Sequence, residues 1–167
     1  MFKIKYLRFE YENLDIYKSK REYEHNIAYS LLDELLKEEG IIDYEFVKNE
    51  NGKPFLKDIP IFFNVSHTDG FCAVCINDSP VGIDCEKIDP NFEKKIPDFA
   101  KRYFLKNELS LLEENGYDAL TFFKIWTSKE AYIKKYGYNS SYITKVDTTK
   151  VVYETIIEGN YIITILK

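Results

Sequence analysis

The chain has 167 residues, 45% apolar and 31% charged, with 23 Lys plus Arg against 28 Asp plus Glu and a formal net charge of −5. This composition excludes a disordered or collagen-like chain, and a chain of this length buries roughly 70% of the surface its unfolded form exposes, so it folds without a disulfide framework or structural metal. The acidic balance argues against a general nucleic-acid binder, because a phosphate backbone demands clustered positive charge; any anionic ligand must find a local basic patch.

In chain order, Phe2 to Phe9 alternates as a strand, and Ile16 to Glu39 carries Tyr23, Ile27, Leu31 and Leu35 at helical spacing, closed by Gly40. A short strand near Tyr44 to Lys48 leads into a polar loop, Asn49 to Pro54, that contains Gly52, Lys53 and Pro54. Three strands follow near Ile61 to Ser66, Phe71 to Ile76 and Val81 to Glu86, with turns at Asp69-Gly70 and Asn77 to Pro80. Beyond Pro90 the pattern turns helical, around Phe92 to Phe104, Asn107 to Glu114, and then Ala119 to Tyr136 between Asp118 as N-cap and Gly137 as C-cap. A hairpin, Val151 to Ile157 and Tyr161 to Leu166, closes the chain. This order predicts an α+β protein of two similar halves, residues 1–80 and 81–167, joined near Pro80.

No segment approaches the roughly 20 apolar residues that span a bilayer, and the opening MFKIKYLRFE lacks the apolar run of a secretory signal. The expectation is a cytoplasmic protein. Cys72 and Cys75 form a C-x-x-C spacing, but they lie in the strand-like run FCAVCI, where residues three apart point to opposite faces. They read as small buried apolar residues rather than a metal or redox pair.

Three places break local rules. In the helix from Ala119 to Tyr136, the apolar stripe Ala119, Phe123, Trp126 and Ile133 has Glu130 in its middle, where a carboxylate is costly without a cation or donors. Lys134 follows at i+4; the bland alternative is an ordinary helix ion pair worth about 0.2–0.5 kcal/mol. In VGIDCE, Val81, Ile83 and Cys85 share one strand face and Gly82, Asp84 and Glu86 the other, so two carboxylates project together. Unpaired they repel; a hard divalent cation such as Mg²⁺, usually shared with substrate phosphates, reverses that penalty, and the alternative is a solvated face. In IFFNVSHT an apolar strand ends in Ser66 and His67, and Gly52-Lys53-Pro54 supplies an approachable backbone, a cation and a stiff turn. Together these offer donors and cations for phosphate, carboxylates for a metal, and an acid–base pair.

GKP at Gly52 to Pro54, FNVSHTDG at Phe63 to Gly70, VGIDCE at Val81 to Glu86, RYFLKNE at Arg102 to Glu108 and WTSKEAYIKKYG at Trp126 to Gly137 resemble, in order and approximate spacing, the Sfp-type 4′-phosphopantetheinyl transferases. The motifs cover about half the chain, and five in sequence make coincidence improbable. The resemblance implies a 4′-phosphopantetheinyl transferase-like fold of two pseudo-twofold-related halves, shorter than its relatives mostly through a trimmed C-terminal half. It implies Mg²⁺ (or Mn²⁺), coenzyme A as co-substrate, an apo acyl or peptidyl carrier protein as partner, and a monomer. Position by position, it makes Asp84, Glu86 and Glu130 metal ligands, Glu130 the base for a carrier serine, and Lys134 the cation on the departing 3′,5′-ADP. Ser66 and His67 would hold nucleotide phosphate, with Gly52, Lys53 and Pro54 bordering adenine and ribose. Glu108 matches a recurrent glutamate of either catalytic or structural role.

The resemblance also implies an Arg in the long first helix for the 3′-phosphate, where this chain has Asn26; Lys18, Lys20 and Arg21 either substitute or form a solvated helix end. The segment between Asp89 and Tyr117, with Lys101, Arg102 and Tyr103, is the candidate docking surface for the carrier. Two other readings remain: a Mg²⁺-dependent phosphohydrolase, which would release phosphopantetheine without a carrier, and a coenzyme A-binding protein without transferase activity.

Overall fold

The structure, a computed structural model, describes residues 1–167. The elements are β1 (Phe2–Arg8), α1 (Lys20–Glu38), β2 (Phe46–Lys48), β3 (Pro54–Leu56), β4 (Phe62–Thr68), β5 (Phe71–Asn77), β6 (Gly82–Lys87), α2 (Ile96–Tyr103), α3 (Lys106–Glu114), α4 (Ala119–Tyr136), β7 (Glu154–Glu158) and β8 (Tyr161–Leu166). They form an antiparallel sheet β1-β5-β4, a two-stranded ribbon β2-β3 and an antiparallel sheet β6-β8-β7.

The layers run helix, sheet, sheet, helix. Leu31, Leu32, Leu35 and Leu36 of α1 pack on Cys72, Val74 and Ile76 of β5. The opposite face of β5, with Phe71, Ala73 and Cys75, meets Ile83 and Cys85 of β6 and Ile163 and Ile165 of β8. The outer face of β8 takes α4 and its neighbours through Ile162, Phe122 and Ile125. Each fully buried Leu or Ile contributes roughly 1.5–3 kcal/mol of transfer free energy. Cys72 and Cys75 thus belong to different cores, as the strand period requires, and all three cysteines are free and buried.

Between the two sheets the facing edge strands are β4 and β6. No backbone ladder joins them. Instead Asn64 Oδ1 accepts from Ile83 N at 3.0 Å and Ser66 Oγ from Cys85 N at 3.2 Å, while Thr68 Oγ1 donates to Glu86 Oε2 at 3.2 Å. Polar side chains at alternate positions of β4 therefore satisfy the outward N–H groups of β6. That fixes the height of Asp84 and Glu86 against Ser66 and His67.

Helix α4 has the limits that its caps predict. Asp118 accepts from Thr121 N at 3.0 Å, and Gly137 at φ 68° ends the helix with Tyr138 N donating to Ile133 O. Its sheet-facing row is small: Thr127 Oγ1 lies 2.6 Å from Thr164 Oγ1 of β8, and a Cβ on Gly82 would stand 1.9 Å from Ala131 O. This close approach turns the next row, Trp126, Glu130 and Lys134, toward the open end of β6.

Several boundaries differ from expectation. Helix α1 begins at Lys20 rather than Ile16, because Ser19 accepts from Glu22 N and fixes the start. Pro54 is not loop but the first residue of β3, an edge position that needs no N–H donor. The helix expected over Phe92 to Phe104 is a 3-10 stretch, Pro90–Lys95, followed by α2. Two 3-10 turns, Ser140–Lys145 and Thr148–Lys150, were not anticipated, and β7 starts at Glu154 rather than Val151.

Candidate functional site

Two cavities, of about 370 and 320 Å³, share Val65, His67 and Lys134 and form one cleft along the β4–β6 seam. The first is lined by Asp84 and Glu86 of β6, Glu130 and Lys134 of α4, Ser66 and His67 of β4, and Arg21 of α1. The second holds Gly52, Lys53 and Pro54 with His25 and Tyr29 of α1 and Tyr138 beyond α4. Of the residues singled out in the sequence for substrate or metal contacts, Lys18 and Lys20 line neither cavity; the Lys18 backbone N donates to Glu22 Oε2. Asn26 also lies outside, and the Lys20 ammonium pairs with Asp69 on the β4–β5 turn.

At the carboxylate end, Asp84 is 4% exposed. Its Oδ1 accepts from Ser66 Oγ at 2.8 Å and from Lys134 Nζ at 2.5 Å, and Lys134 Nζ also donates to Ser66 Oγ at 2.9 Å. Asp84 Oδ2 is buried with no partner. Neither bland alternative describes this geometry. The face carrying Asp84 and Glu86 is covered rather than solvated, and Lys134 forms its ion pair with Asp84, not with Glu130 one turn back. The i, i+4 rule compares neighbours on one helix and takes no account of a more deeply buried carboxylate on the adjoining strand.

Burial and then the charge of Asp84 push the Glu86 carboxyl up to about 7, and the same two causes raise Glu130. Burial works against the Lys134 charge, and the Asp84 carboxylate outweighs it, holding that lysine above its ordinary value. Asp84, Glu86 and Glu130 face one cavity without closing into a three-ligand cage, the Asp84 Oδ1 position being taken by the Lys134 ammonium. The unpartnered Asp84 Oδ2 and an all-oxygen donor set nevertheless fit a hard dication.

The Gly52 turn is anchored rather than free. Asn49 Oδ1 accepts from Asn51 N and Lys53 N, Gly52 takes φ +79°, and Lys53 Nζ donates to Lys135 O at 2.7 Å, crossing to the last turn of α4. Burial lowers the Lys53 ammonium below its usual value.

Glu108, left open between two roles, lies outside the cleft and is wholly buried. It accepts from Leu105 N at 2.7 Å and from Thr148 N and Oγ1 at 2.8 Å, and pairs with the equally buried Lys129 at 2.7 Å. It joins α3, α4 and the 3-10 turn at Thr148. Asn64, Thr68, Tyr138 and Glu24 carry no role in the sequence pattern but join the site, Glu24 by contact with His67; the polar residues alternating with apolar ones on β4 are the signal for the first two.

Residues 80–158 match the sequence model described as the 4′-phosphopantetheinyl transferase superfamily. The chain is 40% identical over 117 residues to 4′-phosphopantetheinyl transferase gsp of Aneurinibacillus migulanus, covering 65% of this chain and 47% of that protein. It is 40% identical over 99 residues to 4′-phosphopantetheinyl transferase Sfp of Bacillus subtilis (strain 168), covering 57% and 42%, and 35% identical over 115 residues to 4′-phosphopantetheinyl transferase AcpT of Escherichia coli (strain K12), covering 63% and 55%. The chain spans about half the length of the curated relatives it matches. The resemblance to 4′-phosphopantetheinyl transferases therefore holds, and residues 80–158, which contain VGIDCE, RYFLKNE and WTSKEAYIKKYG, bear the pattern of that superfamily.

Proposed function

We propose that this protein transfers the 4′-phosphopantetheine arm of coenzyme A to a serine of an apo acyl or peptidyl carrier protein, acting as a cytoplasmic monomer. The observation that carries the reading is the buried, unpartnered Asp84 Oδ2 in a cavity also lined by Glu86, Glu130, Lys134 and His67. Asp84, Glu86 and Glu130 would hold Mg²⁺ or Mn²⁺, which would neutralise diphosphate charge at the reacting centre. No helix is long and apolar enough to cross a membrane.

In this mechanism Glu130, which faces the cavity beside Asp84 and Lys134, takes the proton from the carrier serine directly or through a water. The serine oxygen forms a bond to the β-phosphorus of coenzyme A, and the bond from that phosphorus to the departing 3′,5′-ADP oxygen breaks. Lys134 neutralises the leaving phosphate, swinging from Asp84 as charge develops. Ser66 and His67 hold phosphate, while Gly52, Lys53 and Pro54 border the nucleoside. The carrier docks over α2, where Arg102 and Tyr103 edge a surface cavity and Tyr103 and Phe99 pack against Trp126 of the catalytic row. We also infer that residues 1–80 and 81–167 are pseudo-twofold-related halves, a reading supported by the three-stranded sheet and outer helix in each.

Incubation with coenzyme A, Mg²⁺ and a set of apo-carriers, read by intact mass, tests the proposal. The expected result is a carrier heavier by one phosphopantetheine group, with Asp84→Ala and Glu130→Gln slower by about 10²–10³ while remaining folded by circular dichroism. Phosphopantetheine released without a carrier would instead indicate a hydrolase. Coenzyme A binding without transfer to any carrier would leave a binding protein.

A further inference from the structure

The cleft contains both histidines of the chain. His25 of α1 and His67 of β4 approach with ring centroids 6.2 Å apart, and both line the 320 Å³ cavity. Only His67 has a built support behind it. Its Nδ1 lies 3.2 Å from Glu24 Oε2, and the other Glu24 oxygen accepts from the Tyr11 hydroxyl. Glu24 is almost wholly buried although it sits on a helix whose neighbouring residues His25 and Asn26 are exposed. An ionised carboxylate only accepts, so a hydrogen bond to Glu24 Oε2 places the imidazole proton on Nδ1. That leaves Nε2 as the free ring nitrogen in a residue that lines both cavities.

We propose that Glu24 is the positioning residue for His67, fixing the Nδ1–H form and ring orientation so that Nε2 is presented to an anionic phosphate oxygen of the nucleotide. This rests on the reading of His67 as a phosphate contact. A neutral ring held this way offers Nε2 only as an acceptor, whereas a protonated ring donates from both nitrogens. Anion binding therefore draws a proton onto Nε2, and the Glu24 carboxylate is what stabilises the resulting imidazolium. The groups nearest the ring are Glu24 and His25 from α1 and Lys134 from α4, with Arg21 of α1, Asp84 and Glu86 of β6 and Glu130 of α4 on the same cavity. Burial lowers His67, Lys134 and His25 add to that lowering, and Glu24, in hydrogen-bond contact with the ring, favours the protonated form.

The test separates this role from a structural one. Nitrogen NMR of the free protein reads the His67 tautomer and titration; steady-state kinetics reads KM for coenzyme A. Wild type should show the neutral Nδ1–H form. Glu24→Gln should titrate at lower pH, and Glu24→Ala should also lose the tautomer preference. Each should raise KM for coenzyme A by about tenfold, the order expected for one charge-assisted hydrogen bond, with little change in kcat. Tyr11→Phe removes the other Glu24 contact without touching His67, and it should leave both the tautomer and KM unchanged. If Tyr11→Phe reproduces the Glu24 effects, or if the His67 tautomer and titration are the same in Glu24→Gln and Glu24→Ala as in wild type, the proposal is wrong. Unchanged coenzyme A affinity in His67→Ala would overturn the underlying phosphate-contact reading instead, leaving the NMR result to stand by itself.

Discussion

Lys129 and Glu108 are both sealed from solvent, 2.7 Å apart, in the layer behind the cleft. Lys129 Nζ also donates to Val146 O and Ile143 O, so its donors are used and the pair is fully hydrogen-bonded. Desolvation makes such a pair a poor source of net stability, but removing one partner strands the other. Lys129→Met should destabilise the fold by about 3–5 kcal/mol in urea unfolding. Lys129→Met combined with Glu108→Gln should recover part of that loss, because the amide oxygen still accepts without a charge. In the sequence Lys129 looks like any lysine beside Glu130, and its partner is distant in the chain. Asp84, Glu86 and Glu130 were legible for the opposite reason, since each is a carboxylate in a pattern that ought to be apolar or paired. That Lys134 would choose Asp84 was not legible, because it depends on how closely α4 approaches β6.

At the scale of elements, that approach depends on Gly82. A methyl group there meets Ala131 O at 1.9 Å and Lys135 Cβ at 2.8 Å, and the nearest of these is backbone and cannot rotate away. Gly82→Ala should push β6 from α4, costing about 1–3 kcal/mol in thermal or urea unfolding and lowering transfer, since Glu130 retreats from Asp84. The β4–β5 turn is tied by charge. Asp69 pairs with Lys20 of α1 and Lys87 of β6 and accepts from Tyr11, and the Lys20 hydrogen bond leads in holding its carboxyl down to about 2 against an ordinary 3.8. A carboxylate lowered in the folded state stabilises it above about pH 4 and loses that contribution as pH falls through 2. Acid unfolding of Asp69→Asn should therefore be flatter than wild type between pH 4 and 2. The limits of α4 could be read from Asp118 and Gly137, whose capping chemistry is local. The 3-10 turns between Ser140 and Lys150 could not, because they carry no apolar period and are held by distant groups such as Glu108.

At the scale of the molecule, the end of the cleft proposed for the nucleotide draws on α1, β4 and the Gly52 turn together. Of the three cations at the start of the first helix, Lys20 is engaged by Asp69 and Lys18, ahead of the cap, lies outside, so Arg21 is the one left facing the cleft. An exposed charge contact of this kind is worth at most about 1 kcal/mol. Replacing coenzyme A by its 3′-dephospho form should therefore lower kcat/KM only a few-fold, and Arg21→Ala should erase the difference. The alternation of Cys72 and Cys75 across a strand was legible from period two. The stacking of one sheet on the other was not, because apolar faces reveal what is buried but not what covers it.

The seam between β4 and β6 has one more consequence. Each strand covers the other's raw border, and the outer borders that remain are charged, with Lys3, Lys5 and Arg8 on β1 and Glu154 and Glu158 on β7. Such charges discourage edge-to-edge adhesion between molecules. The stretch that carries the superfamily pattern, residues 80–158, stops short of β8, the central strand to which both β6 and β7 are hydrogen-bonded. Excised as a fragment, it would bare on both borders of β6 sticky templates that the whole chain conceals under β8 and along the β4 seam, so solubility and the shape of the candidate cleft depend on the same line of contacts.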